Sequence, residues 1–284
     1  MSDRASTQSQ QRVLRIERAG TTLSARIRDG EGLPVVLVPG VMADAATWQD
    51  VVDHIELPNP VVTVNRRGRL PSGPLGDDYS VRVEIDDLHR ILDEIGGEAH
   101  LFGWSYGGLI ALETAVERPT IRSLTAYEPV TRPFAPSAIE PLRNALAHND
   151  FDRVVELVNT EISGFSSDYV SDLRRSPAWP VLRSLSAPVA AELAAINDYP
   201  PHLESYRDLT IPVTLLLGEL NENLPPYGTA FATIAAALPQ ASVIRIPEQG
   251  HLAHASAPQL LAQHLTAAIT AASQPDPLGL SCGR

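Results

Sequence analysis

Residues 99–112 read AHLFGWSYGGLIAL and contain the motif Gly-x-Ser-x-Gly at Gly103, Ser105 and Gly107. The apolar run 99–102 predicts a buried strand, and the residues after the motif, rich in alanine and leucine, predict a helix. A sharp turn from strand to helix needs glycine two residues before and after the serine, because a larger side chain would block the crossing backbones. Such a turn exposes the hydroxyl of Ser105 beside the free N–H groups at the start of the helix. Ser105 is therefore the candidate nucleophile.

Other apolar runs without alternation predict further buried strands, at residues 34–38, 60–64, 121–127, 211–217 and 241–246. Segments of helical periodicity separate them, such as residues 81–95, where apolar side chains recur at three- and four-residue steps. Residues 12–18 and 21–28 alternate apolar and polar side chains and predict an antiparallel hairpin at the sheet edge. This order predicts an α/β fold with a mostly parallel central sheet flanked by helices. Its functional site is expected beyond the carboxyl ends of the strands.

The alternation of strands and helices is interrupted once, at residues 131–207, where amphipathic pieces occur at 138–147, 151–162 and 189–196 without a strand pattern. Prolines punctuate this segment and predict short helices. We therefore predict a helical cap, 131–207, inserted into a core formed by residues 12–130 and 208–273. Residues 1–11 are predicted to be disordered, and residues 274–284 to form a flexible tail.

The composition excludes several classes of function. The chain has 284 residues and 22 basic against 34 acidic side chains, a formal charge of −12 that disfavours nucleic acid as a partner. All 22 basic residues are arginine, so chemistry that needs a lysine is absent. The single cysteine, Cys282, allows no disulfide within the chain and no thiolate metal cluster. The N-terminal residues lack the apolar core of a signal peptide and no apolar run would span a bilayer, so we expect a cytoplasmic protein with no membrane partner.

Two further motifs, together with that at Ser105, resemble the α/β-hydrolase fold family, and the resemblance covers about residues 12–272. Residues 37–41, LVPGV, stand where the family has a strand ending in His-Gly, although a proline replaces the histidine. The resemblance implies an oxyanion hole formed by the N–H of Val41 and the N–H of Tyr106. Residues 246–251, IPEQGH, match the family's Gly-His loop. They imply that His251 is the catalytic base, with His254 as its nearest competitor.

The acidic member of the triad departs from the commonest family pattern. The family usually places it after the strand predicted at 211–217, but Asn221 occupies that position here. Some members, including haloalkane dehalogenases and a zearalenone-type lactonase, are known to carry the acid one strand earlier. Glu128 directly follows strand 121–127, 23 residues after Ser105, and fits that variant. We predict Glu128 as the acid, with Glu222 and Glu219 as alternatives.

The resemblance implies a serine hydrolase that cleaves a small-molecule carboxylic ester, lactone or thioester without a metal or organic cofactor. Gly40, Met42 and Trp104 are predicted substrate contacts. Two alternatives stay open: a cofactor-free perhydrolase, haloperoxidase or C–C bond hydrolase with the same triad, and a non-catalytic ligand-binding receptor on the same scaffold. The arginine-rich residues 66–69 are interpreted either as a site for an anionic substrate group or as a solvated loop. The oligomeric state is not predicted.

Overall fold

The structure is a computed structural model of the chain, and it describes residues 11–18 and 20–274. Disorder is predicted for residues 1–11 and a flexible tail for residues 274–284, which include Cys282. Except for Gln11 and Gln274, these residues lie outside the described part of the chain. Gln11 is the first residue of a strand.

Within the described residues one sheet has eight strands in the order β1-β2-β4-β3-β5-β6-β7-β8. Their bounds are β1 (Gln11–Arg18), β2 (Thr21–Arg28), β3 (Val35–Val38), β4 (Val61–Asn65), β5 (Ala99–Trp104), β6 (Ile121–Tyr127), β7 (Val213–Gly218) and β8 (Ser242–Ile246). Strands β3 to β8 run parallel. Strand β2 is antiparallel to both of its neighbours, β1 and β4. The predicted mostly parallel sheet is confirmed.

Helices pack on both faces of this sheet, and a run of short helices lies between β6 and β7. The α-helices are α1 (Gln49–Asp53), α2 (Val81–Glu94), α3 (Tyr106–Glu117), α4 (Ile139–Ala147), α5 (Phe151–Leu157), α6 (Ser167–Arg175), α7 (Ala178–Leu185), α8 (Val189–Asp198), α9 (Tyr227–Ala237), α10 (Ala253–Ser256) and α11 (Pro258–Ser273). A π-helical turn, Val158–Ile162, continues α5. None of the helices in the described part of the chain is long and apolar enough to cross a membrane.

The sheet separates two apolar cores because successive side chains of a strand point to opposite faces. In β3, Val36 and Val38 lie in the core that contains α2, α3 and the helices between β6 and β7. Val35 and Leu37 of the same strand lie in the core that contains α1 and α11. All four residues are buried, which explains why this strand is apolar without alternation. The carboxyl ends of β3, β5, β6 and β7 thus meet at one edge of a rigid sheet.

Candidate functional site

The turn at Ser105 joins the end of β5 to the start of α3. Ser105 has φ 57° and ψ −122°, a backbone conformation that is uncommon for any residue with a side chain. Its N–H donates to the carbonyl of Tyr127 at 3.0 Å, and its own carbonyl accepts from the N–H of Val130 at 3.3 Å. Hydrogen bonds to the end of β6 and the residues after it therefore hold the serine in this strained conformation, and such strain clusters at functional sites.

The loop after β3 lies directly against this turn. A Cβ added to Gly40 would stand 2.8 Å from the Cβ of Ser105. On the other side, a Cβ added to Gly107 would overlap the carbonyl oxygen of Val38. Only glycine lets these two backbones approach so closely. The residues after β3 are thereby placed beside Ser105.

Two backbone N–H groups belong to residues next to this contact: Val41 follows Gly40, and Tyr106 follows Ser105. Neither has a hydrogen-bond acceptor among the residues that the structure describes. Tyr106 is the first residue of α3, and the first N–H groups of a helix have no partner within the helix. Two unpaired donors beside a hydroxyl are the arrangement that stabilises a developing oxyanion.

Glu128 follows β6 and is fully buried, with φ 41°. Its Oε2 lies 2.6 Å from Nδ1 of His251. Its Oε1 accepts from the N–H of Gly218 at 2.9 Å, and the Nδ2 group of Asn221 donates to Oε1 at 3.1 Å and to Oε2 at 2.9 Å. Asn221, at the position where the family usually has its acid, thus holds the carboxylate that contacts the histidine.

His251 is buried in the loop after β8, between two aromatic rings. Tyr227 stacks on the imidazole with ring centroids 3.7 Å apart and an interplanar angle of 20°. Trp104 lies on it at 4.9 Å, and its Nε1 donates to the carbonyl of His251 at 2.9 Å. Because Trp104 immediately precedes Ser105, this contact ties the histidine loop to the serine turn. No hydrogen bond joins the Ser105 hydroxyl to His251 in the described structure, and catalytic hydrogen bonds are often longer before substrate binds.

His254 has a different environment. It stacks on Trp48 with centroids 4.9 Å apart, and it lies 4.3 Å from the Trp104 ring. Burial, together with the neighbouring His251, lowers the pKa of His254 to about 3. It is therefore a neutral ring in the apolar core, whereas His251 contacts the carboxylate of Glu128.

The two alternative acids lie elsewhere. Glu222 forms an ion pair with Arg245 at 2.6 Å, and this pair lowers the pKa of Glu222. Glu219 accepts from the N–H of Glu248 at 3.1 Å. The structure thus brings Glu128 to His251 and does not bring Glu219 or Glu222. Across residues 11–18 and 20–274, no three His, Cys, Asp or Glu side chains are grouped so that they would hold a metal ion.

The arginine-rich loop after β4 is neither a solvated loop nor an open anion site, so both interpretations are wrong. Arg66, Arg67 and Arg69 are only 3%, 7% and 1% exposed. Each forms an ion pair at 2.7 Å, and the partners are Glu84, Asp87 and Glu192. Glu84 and Asp87 lie on α2 and Glu192 lies on α8, so these partners are far from the arginines in the sequence.

Sequence reasoning also missed Tyr227 and the bridging contact of Asn221. Tyr227 begins α9, which follows β7, so only the fold brings its ring to the loop after β8. Asn221 is recognisable by its position after Gly218, but nothing local shows that it donates to Glu128.

Comparison with known proteins identifies the family of the chain. A sequence profile of the alpha/beta hydrolase family matches residues 35–264. The pimeloyl-acyl-carrier-protein methyl ester esterase of Aliivibrio salmonicida is 26% identical over 208 residues, which cover 69% of this chain and 77% of that protein. The polyketide synthase ThaQ of Burkholderia thailandensis is 31% identical over 135 residues, 44% of this chain but 6% of that protein. For two other curated relatives the chain covers 42% and 37% of their length.

A solved structure supports the same assignment. An alpha/beta hydrolase from Sphaerobacter thermophilus DSM 20745 is similar with a TM-score of 0.77 and 26% identity, covering 90% of this chain and 100% of that one. Three of the curated relatives carry the names of hydrolases or an esterase, and the family profile spans well over half of the chain. The chain therefore belongs to the alpha/beta hydrolase family.

Proposed function

We propose that this enzyme is a serine hydrolase that cleaves a carboxylic ester, a lactone or a thioester through an acyl-enzyme intermediate. The observation that carries the proposal is the 2.6 Å contact between Glu128 Oε2 and His251 Nδ1, beside the strained turn at Ser105. A carboxylate at Nδ1 keeps a proton there and leaves Nε2 free to accept the proton of a hydroxyl. The resemblance to an esterase over 69% of the chain supports the same reaction class.

Acylation begins when Oγ of Ser105 attacks the carbonyl carbon and its proton passes to Nε2 of His251. The electron pair of the carbonyl moves to its oxygen, which accepts hydrogen bonds from the N–H groups of Val41 and Tyr106. Each such donor lowers the barrier by roughly 3 to 4 kcal/mol. The buried carboxylate of Glu128 stabilises the imidazolium that forms.

The tetrahedral intermediate collapses when its bond to the leaving oxygen or sulfur breaks. The leaving group takes the proton from His251, and the acyl group stays on Ser105. A water molecule then gives a proton to His251 and attacks the acyl carbon. The second collapse returns the proton to Ser105 and releases a carboxylic acid, so each turnover consumes one water.

We propose that residues 131–207 cap the core formed by residues 12–130 and 208–273. The Oγ of Ser163 lies 3.0 Å from the hydroxyl of Tyr227, and the ring of Phe134 packs edge-on to Tyr227 at 5.5 Å. Because Tyr227 stacks on His251, the insertion lies one side chain away from the proposed base. A substrate at Ser105 is therefore bounded by the cap.

The substrate contacts are proposed from the loop after β3. Gly40 has no side chain and lies against Ser105, so its backbone borders the space in front of the hydroxyl. Met42, with φ 54°, follows in the same loop. For Trp104 the packing favours a different role from the predicted substrate contact, because its indole is buried behind His251 and supports that ring.

The proposal is tested with a fluorophosphonate probe and p-nitrophenyl esters of graded chain length. We expect the probe to label Ser105 and the wild-type protein to turn over at least one ester. Ser105→Ala should remove both labelling and turnover while circular dichroism and thermal unfolding stay unchanged. Ser184→Ala, at an exposed serine of α7, is the matched control and should keep both. Folded wild-type protein that is neither labelled nor active would contradict the proposal.

A further inference from the structure

The guanidinium of Arg66 is hydrogen-bonded to the loop after β3, which carries one of the proposed oxyanion donors. Its Nε donates to the carbonyl of Pro39 at 2.8 Å, and its Nη2 donates to the carbonyl of Gly40 at 2.8 Å. Its Nη1 donates to Glu84 at 2.7 Å. The planar fork of arginine suits this task because its donors are held in fixed relative directions.

The contact with Gly40 sets the direction of the next N–H. The peptide bond between Gly40 and Val41 is trans. In a trans peptide the carbonyl of one residue and the N–H of the next point in opposite directions. Since the Gly40 carbonyl is bound by Arg66, the N–H of Val41 points away from the arginine. Donation to the carbonyl also polarises the peptide and strengthens its N–H as a donor.

Arg66 also contacts the second proposed oxyanion residue. Its guanidinium carbon lies 4.8 Å from the centre of the Tyr106 ring, within the range of a cation–π contact. The hydroxyls of Tyr106 and Tyr79 lie 3.2 Å apart, and Tyr79 donates to Glu84 at 2.8 Å. One buried cation therefore contacts both the Gly40 carbonyl, in the peptide group that carries the Val41 N–H, and the ring of Tyr106.

The cap supplies the remaining partner of this arginine. Glu192 of α8 is fully buried and lies 2.7 Å from Arg66 and 2.7 Å from Arg69. Burial by itself lowers the pKa of Arg66, but Glu192 and Glu84 raise it well above its ordinary value. The arginine therefore stays charged, and the cap is joined to the loop after β3 through it.

We propose that Arg66 is a positioning residue that aims the Val41 N–H at the oxyanion, and that Glu192 links this alignment to the cap. This inference rests on the proposed serine-hydrolase function. Arg67, the residue next to Arg66, provides a matched comparison. Arg67 also forms a buried pair with a carboxylate of α2, Asp87, at 2.7 Å, but it donates to the carbonyl of Leu75 and not to the loop after β3.

The test compares Arg66→Lys with Arg67→Lys. Lysine keeps the charge, but its single ammonium cannot reproduce the fork that binds two carbonyls and a carboxylate. Removing a whole oxyanion donor lowers kcat by about 10²–10³, so a misaligned one should lower kcat by roughly tenfold to hundredfold. We expect this loss for Arg66→Lys with KM nearly unchanged, and little loss for Arg67→Lys. Phenylboronic acid, which forms a tetrahedral adduct with an active serine, should bind Arg66→Lys more weakly by a similar factor.

A second pair keeps the test decisive if the single variants fold poorly. Arg66→Met with Glu84→Gln removes the cation and one of its carboxylates, and Glu192 keeps Arg69 as a partner. Arg67→Met with Asp87→Asn is the control, and thermal unfolding compares the two. The positioning role would be overturned if the Arg66 and Arg67 variants lost kcat equally. It would also be overturned if the Arg66 variants kept the wild-type kcat or changed only in a higher KM. If the wild-type protein itself neither turns over esters nor binds the boronic acid, the proposed function fails, and this role fails with it.

Discussion

Exchanging Glu128 for glutamine tests the carboxylate at His251 because it removes the charge and keeps the shape. Glu128 is fully buried, and its two oxygens face the N–H groups of Gly218, Asn221 and His251. A carboxylate only accepts hydrogen bonds, whereas an amide has one accepting oxygen and one donating nitrogen. In either orientation the glutamine amide therefore points an N–H at another N–H.

The expected loss follows from the histidine tautomer. If the amide nitrogen faces Nδ1 of His251, the imidazole must carry its proton on Nε2 and cannot accept one from Ser105. The same acid-to-amide exchange in a serine-protease triad lowers kcat by about 10⁴, so we expect a loss of roughly 10³–10⁴ here. This corresponds to about 4–5.4 kcal/mol of activation free energy. The unpaired buried donor should also lower the free energy of unfolding by about 1–3 kcal/mol.

The assay measures kcat on the best p-nitrophenyl ester and the free energy of unfolding in urea. Glu222→Gln is the matched control, because Glu222 pairs with Arg245 and does not contact His251. We expect its kcat to stay within about twofold of wild type. The reasoning is refuted if folded Glu128→Gln keeps more than about a tenth of the wild-type kcat, or if Glu222→Gln loses more than Glu128→Gln.

Two further predictions concern the rings around the base. Tyr227→Leu removes the ring stacked on His251 and should lower kcat by up to roughly tenfold. Tyr227→Phe keeps the ring and should lower kcat less. Equal losses of kcat in the two variants would contradict a role for stacking. The pKa of His254, about 3, lies below the value near 6.5 of an unfolded chain, so its contribution to stability is complete above about pH 6.5. As the pH falls from 6.5 towards 3, the free energy of unfolding should decrease by roughly 1.4 kcal/mol per pH unit. Urea unfolding at about pH 7.5 and 5 measures this slope, which His254→Phe should reduce; an unchanged slope would count against the shifted pKa.

The sequence by itself determined the sheet, its helices and the turn at Ser105. These features rest on short-range rules: the period of apolar residues, the exclusion of side chains at Gly107, and the turn that glycine permits. Strand β6 lies at the residues predicted for it, 121–127. The strand predicted at 99–102 continues to Trp104, because the end of a strand depends on the neighbouring strands as well as on its own residues. Local rules thus place the elements, whereas the exact ends of the elements depend on the rest of the fold.

Only the tertiary structure decided which side chains meet. Glu128 and His251 are 123 residues apart in the sequence, and their contact depends on how β6 and the loop after β8 sit at one edge of the sheet. The sequence around Arg66 indicates an exposed charge in a polar loop. The structure buries this arginine beside Glu192, which belongs to α8, a helix far along the chain. Local composition records the preference of a residue for water or for a strand, but not its partner. A buried charge is stable only beside a partner, so its place is known only once the whole chain has folded around it.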